Sequence, residues 1–281
     1  MKQYLQDLII DMDISIILVN FNTKDFIYSA INSCLEEGSN IKKEIIVVDN
    51  GSSDGSYVFL REKFRNTPQV ILIKNAENLG FAKAVNSALK KSKGVYKFLL
   101  NSDAKVTKRT FSELIRVAKK DKNIGVIGTK LILPDGSTQK SCFNFPSISN
   151  AVLEYWMGKK NTFTPFYKES ESVVDAVVGA SFLITPRAFK IIGLFDERYF
   201  MYFEDLDYCR RVKQAGYKVI YYPRITVFHH HGLSGKGLGD NRNQWRRLVP
   251  SSKIYHGEIK HNLITFVIWS GQKFRKYNIK T

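Results

Sequence analysis

The chain has 281 residues, 44% of them hydrophobic and only 7 of them proline, and its 43 lysines and arginines outweigh 26 acids to give a net charge of +17. Such a length and composition exclude a disordered polar chain and suit one large core, with or without an appendage. The charge calls for an anionic partner, whether nucleic acid, phospholipid or a phosphorylated small molecule; no zinc-finger, RNA-recognition or basic-zipper pattern accompanies it, so nucleic acid is not expected.

Ile14-Ser15-Ile16-Ile17-Leu18-Val19-Asn20 is the β-branched run of a strand buried on both faces. Asn22-Thr23 can cap a helix over Asp25 to Leu35, on which Phe26, Ile27, Ala30, Ile31 and Leu35 share one side. A second buried strand, Glu44 to Val48, ends in Asp49-Asn50-Gly51-Ser52-Ser53-Asp54-Gly55, a turn by composition. A helix over Ser56 to Phe64, a strand over Val70 to Ile73, a loop over Asn75 to Gly80 and a helix over Ala82 to Leu89 follow. Tyr96 to Leu100 is a strand that exits through Asn101-Ser102-Asp103; Thr107 is placed to cap a helix running to Lys120, and Ile124 to Thr129 is the next strand. This alternation predicts an open, mostly parallel α/β sheet that binds ligands beyond the carboxyl ends of its strands, where Asp49, Asn78 and Asp103 all fall.

The rhythm is lost over Lys130 to Ser172, a loop-rich stretch with Phe143, Phe145, Tyr155, Trp156, Phe163, Phe166 and Tyr167; a lid and a plain hydrophobic collar are both compatible with it. Order resumes with a strand over Val173 to Val178, Gly179-Ala180-Ser181, a strand over Phe182 to Ile184, and a helix from Thr185-Pro186 to Ile192. Next is Phe200 to Arg211, an aromatic run followed by Glu204, Asp205 and Asp207 at the start of a helix. Strands over Lys218 to Tyr221 and Ile225 to Phe228 lead into His229-His230-His231, and Leu233 to Asn243 reads as a mobile loop. Trp245 to Thr281 is helical in pattern, basic and aromatic; its longest apolar run, Leu263 to Trp269, is far too short to span a bilayer. Cys34, Cys142 and Cys209 are odd in number and widely spaced, as free thiols in a reducing compartment are, and the N-terminus lacks a secretory apolar core, so a cytoplasmic protein is expected.

Each polar cluster has a chemical and a structural reading. Asp49 can accept from the edge of a base or close an Asx turn. Asn78-Leu79-Gly80 can bring a phosphate or base edge against the backbone or cap the next helix. Asp103 can hold a divalent cation on a diphosphate, with Asn101 and Ser102 where a second acid would commonly stand. One of the histidines can join it and favour Mn²⁺ over Mg²⁺, or the cluster can be solvated. The acids at Glu204, Asp205 and Asp207 suit catalysis, and they equally suit the first turn of any helix.

Taken in order, Ser15 to Asn22, Val47 to Asp54, Asn78 to Ala82 with Asn86, Leu99 to Asp103, Gly179 to Leu183, Phe200 to Arg211, and Pro223 through His229 to Ser234 resemble an inverting family-2 glycosyltransferase of the GT-A fold, in the bacterial rhamnosyltransferase-like branch. The resemblance implies a glycosyltransferase domain over residues 1–235, with a nucleotide-binding half at 1–129 and an acceptor and catalytic half at 130–235, and a basic helical extension at 236–281. It implies that Val19, Asn20 and Asp49 line the base pocket with Asn78 and Gly80 nearby. Asp103 and His229 would hold Mg²⁺ or Mn²⁺, Asp205 would be the general base and Glu204 its partner, while Asp207 keeps a structural role. The implied partners are a UDP- or dTDP-linked sugar donor, such as dTDP-rhamnose or a UDP-hexose, and a surface-polysaccharide or lipid-linked glycan acceptor. A non-catalytic nucleotide-sugar or glycan binding protein on the same fold is the alternative. Tyr155, Trp156 and the pair Phe166-Tyr167 could stack on the acceptor. The basic, aromatic tail suits either an interfacial helix on anionic lipid at the inner face of the plasma membrane or an ordinary packing helix.

Overall fold

The computed structural model describes residues 12–230 and 245–278. His231, the stretch through Ser234 to Asn243 and the N-terminal segment lie outside the described residues, as do the side chains of Trp245, Arg275 and Lys276.

In chain order the elements are β1 (Ile14–Asn20), α1 (Lys24–Glu36), β2 (Lys43–Asn50), α2 (Ser56–Lys63), β3 (Val70–Asn75), α3 (Phe81–Leu89), β4 (Tyr96–Asn101), β5 (Ala104–Val106), α4 (Thr110–Lys120) and β6 (Ile124–Ile132). They continue with β7 (Cys142–Phe143), α5 (Ile148–Tyr155), β8 (Ser172–Val174), β9 (Ala176–Val177), β10 (Ser181–Ile184), α6 (Pro186–Ile192), α7 (Glu204–Gln214), β11 (Lys218–His229), α8 (Trp245–His256) and α9 (Glu258–Asn278). Among the described residues the main sheet has nine strands, in the order β3-β2-β1-β4-β10-β6-β11-β5 with β8 beside β11. The β3-β2-β1-β4 half is parallel, β10 runs antiparallel between β4 and β6, and β11 is parallel to β6.

The continuous apolar runs are explained by burial on both faces. Ile16, Leu18, Ile45 and Val47 point into one core with Ile27, Ile31, Phe98, Phe111 and Leu114. Their neighbours Ile17, Ile46, Val48 and Leu99 point into the other with Val85, Phe182, Tyr208 and Val212. Successive side chains of a strand alternate sides, so such a run needs a helical layer on each face. The fold is accordingly an α/β layer structure with a mostly parallel sheet flanked by helices.

Three local expectations change. Thr107 does not cap α4: the helix opens three residues later, after Arg109, and the Thr107 hydroxyl, directly behind the short strand β5, donates to the Thr226 carbonyl (2.9 Å) of the paired strand β11. The two strands expected around Pro223 are one, β11, with a register irregularity between Tyr222 and Thr226 that accommodates the proline's missing donor. The aromatic stretch holds a helix, α5, capped by the Ser147 hydroxyl accepting from the Asn150 amide (3.1 Å).

The C-terminal helices pack on the main body. Ser251 donates to the Met201 carbonyl (2.8 Å), the Trp156 indole donates to the Val267 carbonyl (3.2 Å), and the Trp156 and Phe274 rings stack at 5.2 Å.

Gly80 sits at φ +86°, ψ 166°, a region almost reserved for glycine, and a Cβ there would lie 2.7 Å from the Phe200 carbonyl oxygen. Gly55 also has positive φ (+79°) but nothing within 4 Å of its Cβ position. Gly55→Ala should therefore cost about 1–2 kcal/mol in urea unfolding, and Gly80→Ala should cost more, roughly 3 kcal/mol or above, because backbone strain and overlap add; equal losses would show that the Phe200 contact yields freely.

Candidate active site

The carboxyl ends of β1 and β2 meet through their side chains. Parallel register sets Asn20 beside Asp49, and the Asn20 amide donates to the Asp49 carboxylate at 2.8 Å while the Ser52 amide donates to its other oxygen at 3.1 Å. The Thr23 hydroxyl lies 2.7 Å from Asn20 Oδ1 and 2.9 Å from the Ser102 hydroxyl, tying the ends of β1 and β4 together. Asn50, buried at the end of β2, was not singled out from sequence as a site residue. Its amide donates to Asn78 Oδ1 (2.8 Å), and its carbonyl accepts from Asn75 Nδ2 (2.9 Å) and the Leu79 amide (3.2 Å). Asn50 thereby holds the loop before α3, and the Gly80 Cα faces the Phe200 backbone.

Asp103 and His229 come together because β5 pairs antiparallel with the end of β11, setting His229 opposite Ala104. His229 Nε2 is 3.3 Å from Asp103 Oδ1, and both residues are buried. The other ring nitrogen lies 2.6 Å from Gln139 Oε1, and Asn101 Nδ2 lies 3.1 Å from Nε2. A carbonyl oxygen can only accept, so Nδ1 donates to Gln139, and this contact orients the ring with Nε2 towards Asp103 and the Asn101 amide. Among the described residues no cluster of three or more His, Cys, Asp or Glu is present. A carboxylate with an oriented imidazole fits a divalent cation that takes its remaining ligands from a diphosphate and water, and fits an all-protein cage poorly. The adjoining His230 amide donates to the Asp103 carbonyl (3.0 Å), and its ring packs edge-on against Phe26, so of the triplet's two described members only His229 faces Asp103.

Glu204 and Asp205 open α7 directly after Tyr202 and Phe203, both at φ +69°. Consecutive non-glycine residues in that region turn the chain sharply. The Phe200 carbonyl accepts from the Phe81 amide (2.7 Å) ahead of the turn, and the Phe203 ring packs on Tyr255 and His256 of α8. The two Asp205 oxygens accept separately, one from the Gly179 amide (2.9 Å) and one from the Leu206 amide (2.8 Å). Burial raises the Asp205 carboxyl above the usual range, and these amides oppose the rise. Glu204 is pushed up to about 8, first by burial and then by the Asp205 charge, and its Oε2 is buried with no hydrogen-bond partner among the described residues. Asp207 instead forms ion pairs with Arg210 (2.7 Å) and Arg211 (2.8 Å), and Arg211 reaches the Ile192 and Leu194 carbonyls. The third acid of the segment is a tie between helices.

A cavity of about 700 Å³ joins these groups. Of the residues expected from sequence, Val19, Asn78, Asp103, Glu204, Asp205 and His229 line it; Asn20, Asp49 and Gly80 stand behind its wall. Asn101, noted from sequence beside Asp103, lines it as well; Gln139, His256 and His261 also line it and had no signal in the sequence, because each reaches the cavity only through tertiary pairing. Tyr155 lies on its wall as expected, whereas Trp156 stacks on Phe274 outside it and Tyr167 is exposed.

The chain is 29% identical to an N-acetylglucosaminyl-diphospho-decaprenol L-rhamnosyltransferase of Mycobacterium tuberculosis over 209 residues, 68% of this chain and 67% of the relative. It is 36% identical to rhamnosyltransferase WbbL of Escherichia coli over 104 residues, 36% of this chain and 39% of the relative. Among solved structures, GalNAc-T7 with UDP, GalNAc and Mn²⁺ superposes with a TM-score of 0.63 at 17% identity, over 78% of this chain and 44% of that one. A mannosyltransferase of Pyrobaculum calidifontis in complex with GDP-Man and Mn²⁺ superposes with a TM-score of 0.62 at 16% identity, over 93% of this chain and 73% of that one. These neighbours give the fold as that of GT-A glycosyltransferases. The family model for glycosyl transferase family 2 matches residues 15–182, from the start of β1 into β10. That span carries Asn20, Asp49, Asn78 and Asp103 in their strand-end positions, and the chain belongs to glycosyl transferase family 2.

Proposed function

We propose that the protein transfers a sugar from a nucleoside-diphosphate donor, dTDP-rhamnose or a UDP-hexose, to a surface-polysaccharide or lipid-linked glycan with inversion at the anomeric carbon. The observation that carries the reading is the unequal carboxylate pair: Asp205 is held by two backbone amides, and Glu204 beside it is driven neutral, in one cavity with Asp103 and His229. The rhamnosyltransferase relatives and the nucleotide-bound structural neighbours support the donor class. The decaprenol diphosphate in the first relative's name supports the acceptor class. In this reading residues 1–129 bind the nucleotide and residues 130–235 catalyse, and the protein works at the inner face of a membrane. A purely binding role would leave this costly burial of two acids without a use.

An acceptor hydroxyl is a weak nucleophile, and Asp205 takes its proton as the oxygen attacks the anomeric carbon. The bond to the diphosphate breaks on the opposite side, so the product is inverted and no protein nucleophile is needed. Two acids this close do not both ionise readily; burial raises both, and the Gly179 and Leu206 amides favour the charged form of Asp205, so the proton belongs on its neighbour. Glu204 keeps it, which leaves Asp205 as the base and Glu204 as a neutral hydrogen-bonding group facing the substrate. Asp103 and His229 Nε2 would hold a divalent ion, which when bound supplies positive charge to a diphosphate. Lys140 and Arg247 line the same cavity and add to that field.

Asp205→Asn should lower transfer by on the order of 10²–10⁴-fold while calorimetry shows unchanged donor affinity; near-normal turnover in that variant would remove the assignment. Asp103→Ala should abolish the Mn²⁺-dependent part of UDP or dTDP binding and leave the metal-free part, and an unaltered metal response would count against its role. The Glu204 proton gives a third expectation. Its pKa rises on folding from 4.5 to about 8, so stability is intact below pH 4.5 and is lost as pH climbs towards 8. Glu204→Gln, neutral throughout, should match the parent near pH 4.5 and exceed it by roughly 1–3 kcal/mol at pH 8 in chemical unfolding; a constant difference across that range would place the proton elsewhere.

A further inference from the structure

We propose that the wall between α5 and α9 is the subsite for the apolar anchor of the acceptor, a polyisoprenoid or similar hydrocarbon chain attached through diphosphate. The proposal rests on the reading of the acceptor as lipid-linked and assigns a place to its lipid.

The cavity is polar where the sheet ends, at Asn101, Asp103, Glu204, Asp205 and His229, and changes character on the other side. There Tyr155, Phe163, Pro165, Val249, Ile264 and Ile268 line it, with His261 and Thr265 of α9 among them; the Thr265 hydroxyl is spent on the His261 carbonyl (2.9 Å), and His261 Nδ1 lies 2.8 Å from the Ser252 hydroxyl. Sugar hydroxyls want hydrogen-bonding partners, and the aliphatic side chains offer none. Tyr155 and Phe163 could stack on a sugar ring, but Ile264, Ile268 and Val249 have no such face and are suited to hydrocarbon.

The wall is a built feature. Gly271 of α9 lies so close to α5 that a Cβ there would approach Tyr155 Cβ to 2.8 Å, and the Trp156 indole bond to Val267 fixes the same pair of helices. The close approach places Ile264 and Ile268, on the same face as Gly271 at helical spacing, beside Tyr155.

The other side of α9 points to the source of such a chain. Ile259, Leu263, Phe266 and Trp269 are 80%, 49%, 62% and 52% exposed, a stripe opposite the one that lines the cavity. Lys260 and Lys273 flank this stripe in a chain of net charge +17. Aromatic and aliphatic side chains bordered by lysines suit the headgroup boundary of an anionic bilayer. Among the described residues no helix is long and apolar enough to cross a membrane. A helix with its side chains is about 10–12 Å across, so a single helix would separate the bilayer from the apolar end of the cavity, and the carboxylates wait at the other end.

The test compares farnesyl diphosphate with inorganic diphosphate by calorimetry, with Mg²⁺ and the full chain. Farnesyl diphosphate should bind at least tenfold more tightly. Ile268→Trp, which fills the apolar end, should reduce that preference to twofold or less while inorganic diphosphate binds as before; if tryptophan lowers the melting temperature, Ile268→Asn, which makes the wall polar, gives the same readout. A Phe266→Ser, Trp269→Ser double variant should lose flotation with phosphatidylglycerol vesicles and keep the farnesyl preference. Equal affinity for the two diphosphates, or a preference that survives both changes at Ile268, overturns the proposal. Thermal stabilisation by UDP or dTDP, measured on the same samples, separates the two levels: retained without a farnesyl preference, it removes the subsite alone; absent, it removes the transferase reading.

Discussion

The placement of the Glu204–Asp205 pair depends on a backbone turn that most side chains avoid. Tyr202 and Phe203 both adopt φ +69°, a state costing about 1–2 kcal/mol for each such residue in isolation. The surroundings hold it from three directions. The amide that opens α3 donates to the Phe200 carbonyl, Ser251 of α8 donates to the Met201 carbonyl, and the Phe203 ring is lodged against Tyr255 and His256. The reward is positional: the turn delivers Asp205 to the Gly179 amide, at the edge of the central sheet, and keeps Glu204 out of water.

The same contacts make the two halves of the molecule interdependent. Asn86 of α3 donates to the Phe195 carbonyl and accepts from the Phe195 amide, each at 2.9 Å, fixing the chain that approaches the turn. Asn50 fixes the loop in front of α3. A chain of hydrogen bonds therefore runs from the end of β2, behind the expected base pocket, to the start of α7. The C-terminal helices meet that chain from the far side, where Arg210 donates to the Tyr255 carbonyl and lies 4.0 Å over its ring. They close the cavity above the carboxylates, so the basic tail is structurally continuous with the site.

What could be read from sequence followed a physical pattern. The parallel strands announced themselves because burial on both faces leaves an unbroken apolar run, and Asp49, Asn78 and Asp103 were visible as polar breaks at the ends of those runs. The Thr185-Pro186 helix start was legible from local chemistry, and the Thr185 hydroxyl does cap it. Thr107 misled because the cap rule cannot see the strand pairing just before it, which turns its hydroxyl towards the Thr226 carbonyl. Gln139 and His256 carry no distinctive neighbours in the chain, and Asn50, though inside the Asp49 to Gly55 turn, owes its role to Asn75, Asn78 and Leu79; such roles arise from partners far away in sequence, and local pattern holds no trace of these pairings. The antiparallel strand β10, set between β4 and β6, was hidden for the same reason, since its four buried residues read like any other short core strand.

The irregularity in β11 has a bearing on how this chain can change length. From Val219 to Tyr222 the strand is in step with β6, and past Pro223 the step shifts, so that His229 emerges opposite Ala104 with its ring towards Asp103. Side chains on a strand alternate faces with a period of two, and a single residue gained or lost between Tyr222 and Thr226 would turn the imidazole to the opposite side of the sheet. The segment around Pro223 thus works as a spacer of fixed count, whose length sets which face of the sheet receives the imidazole.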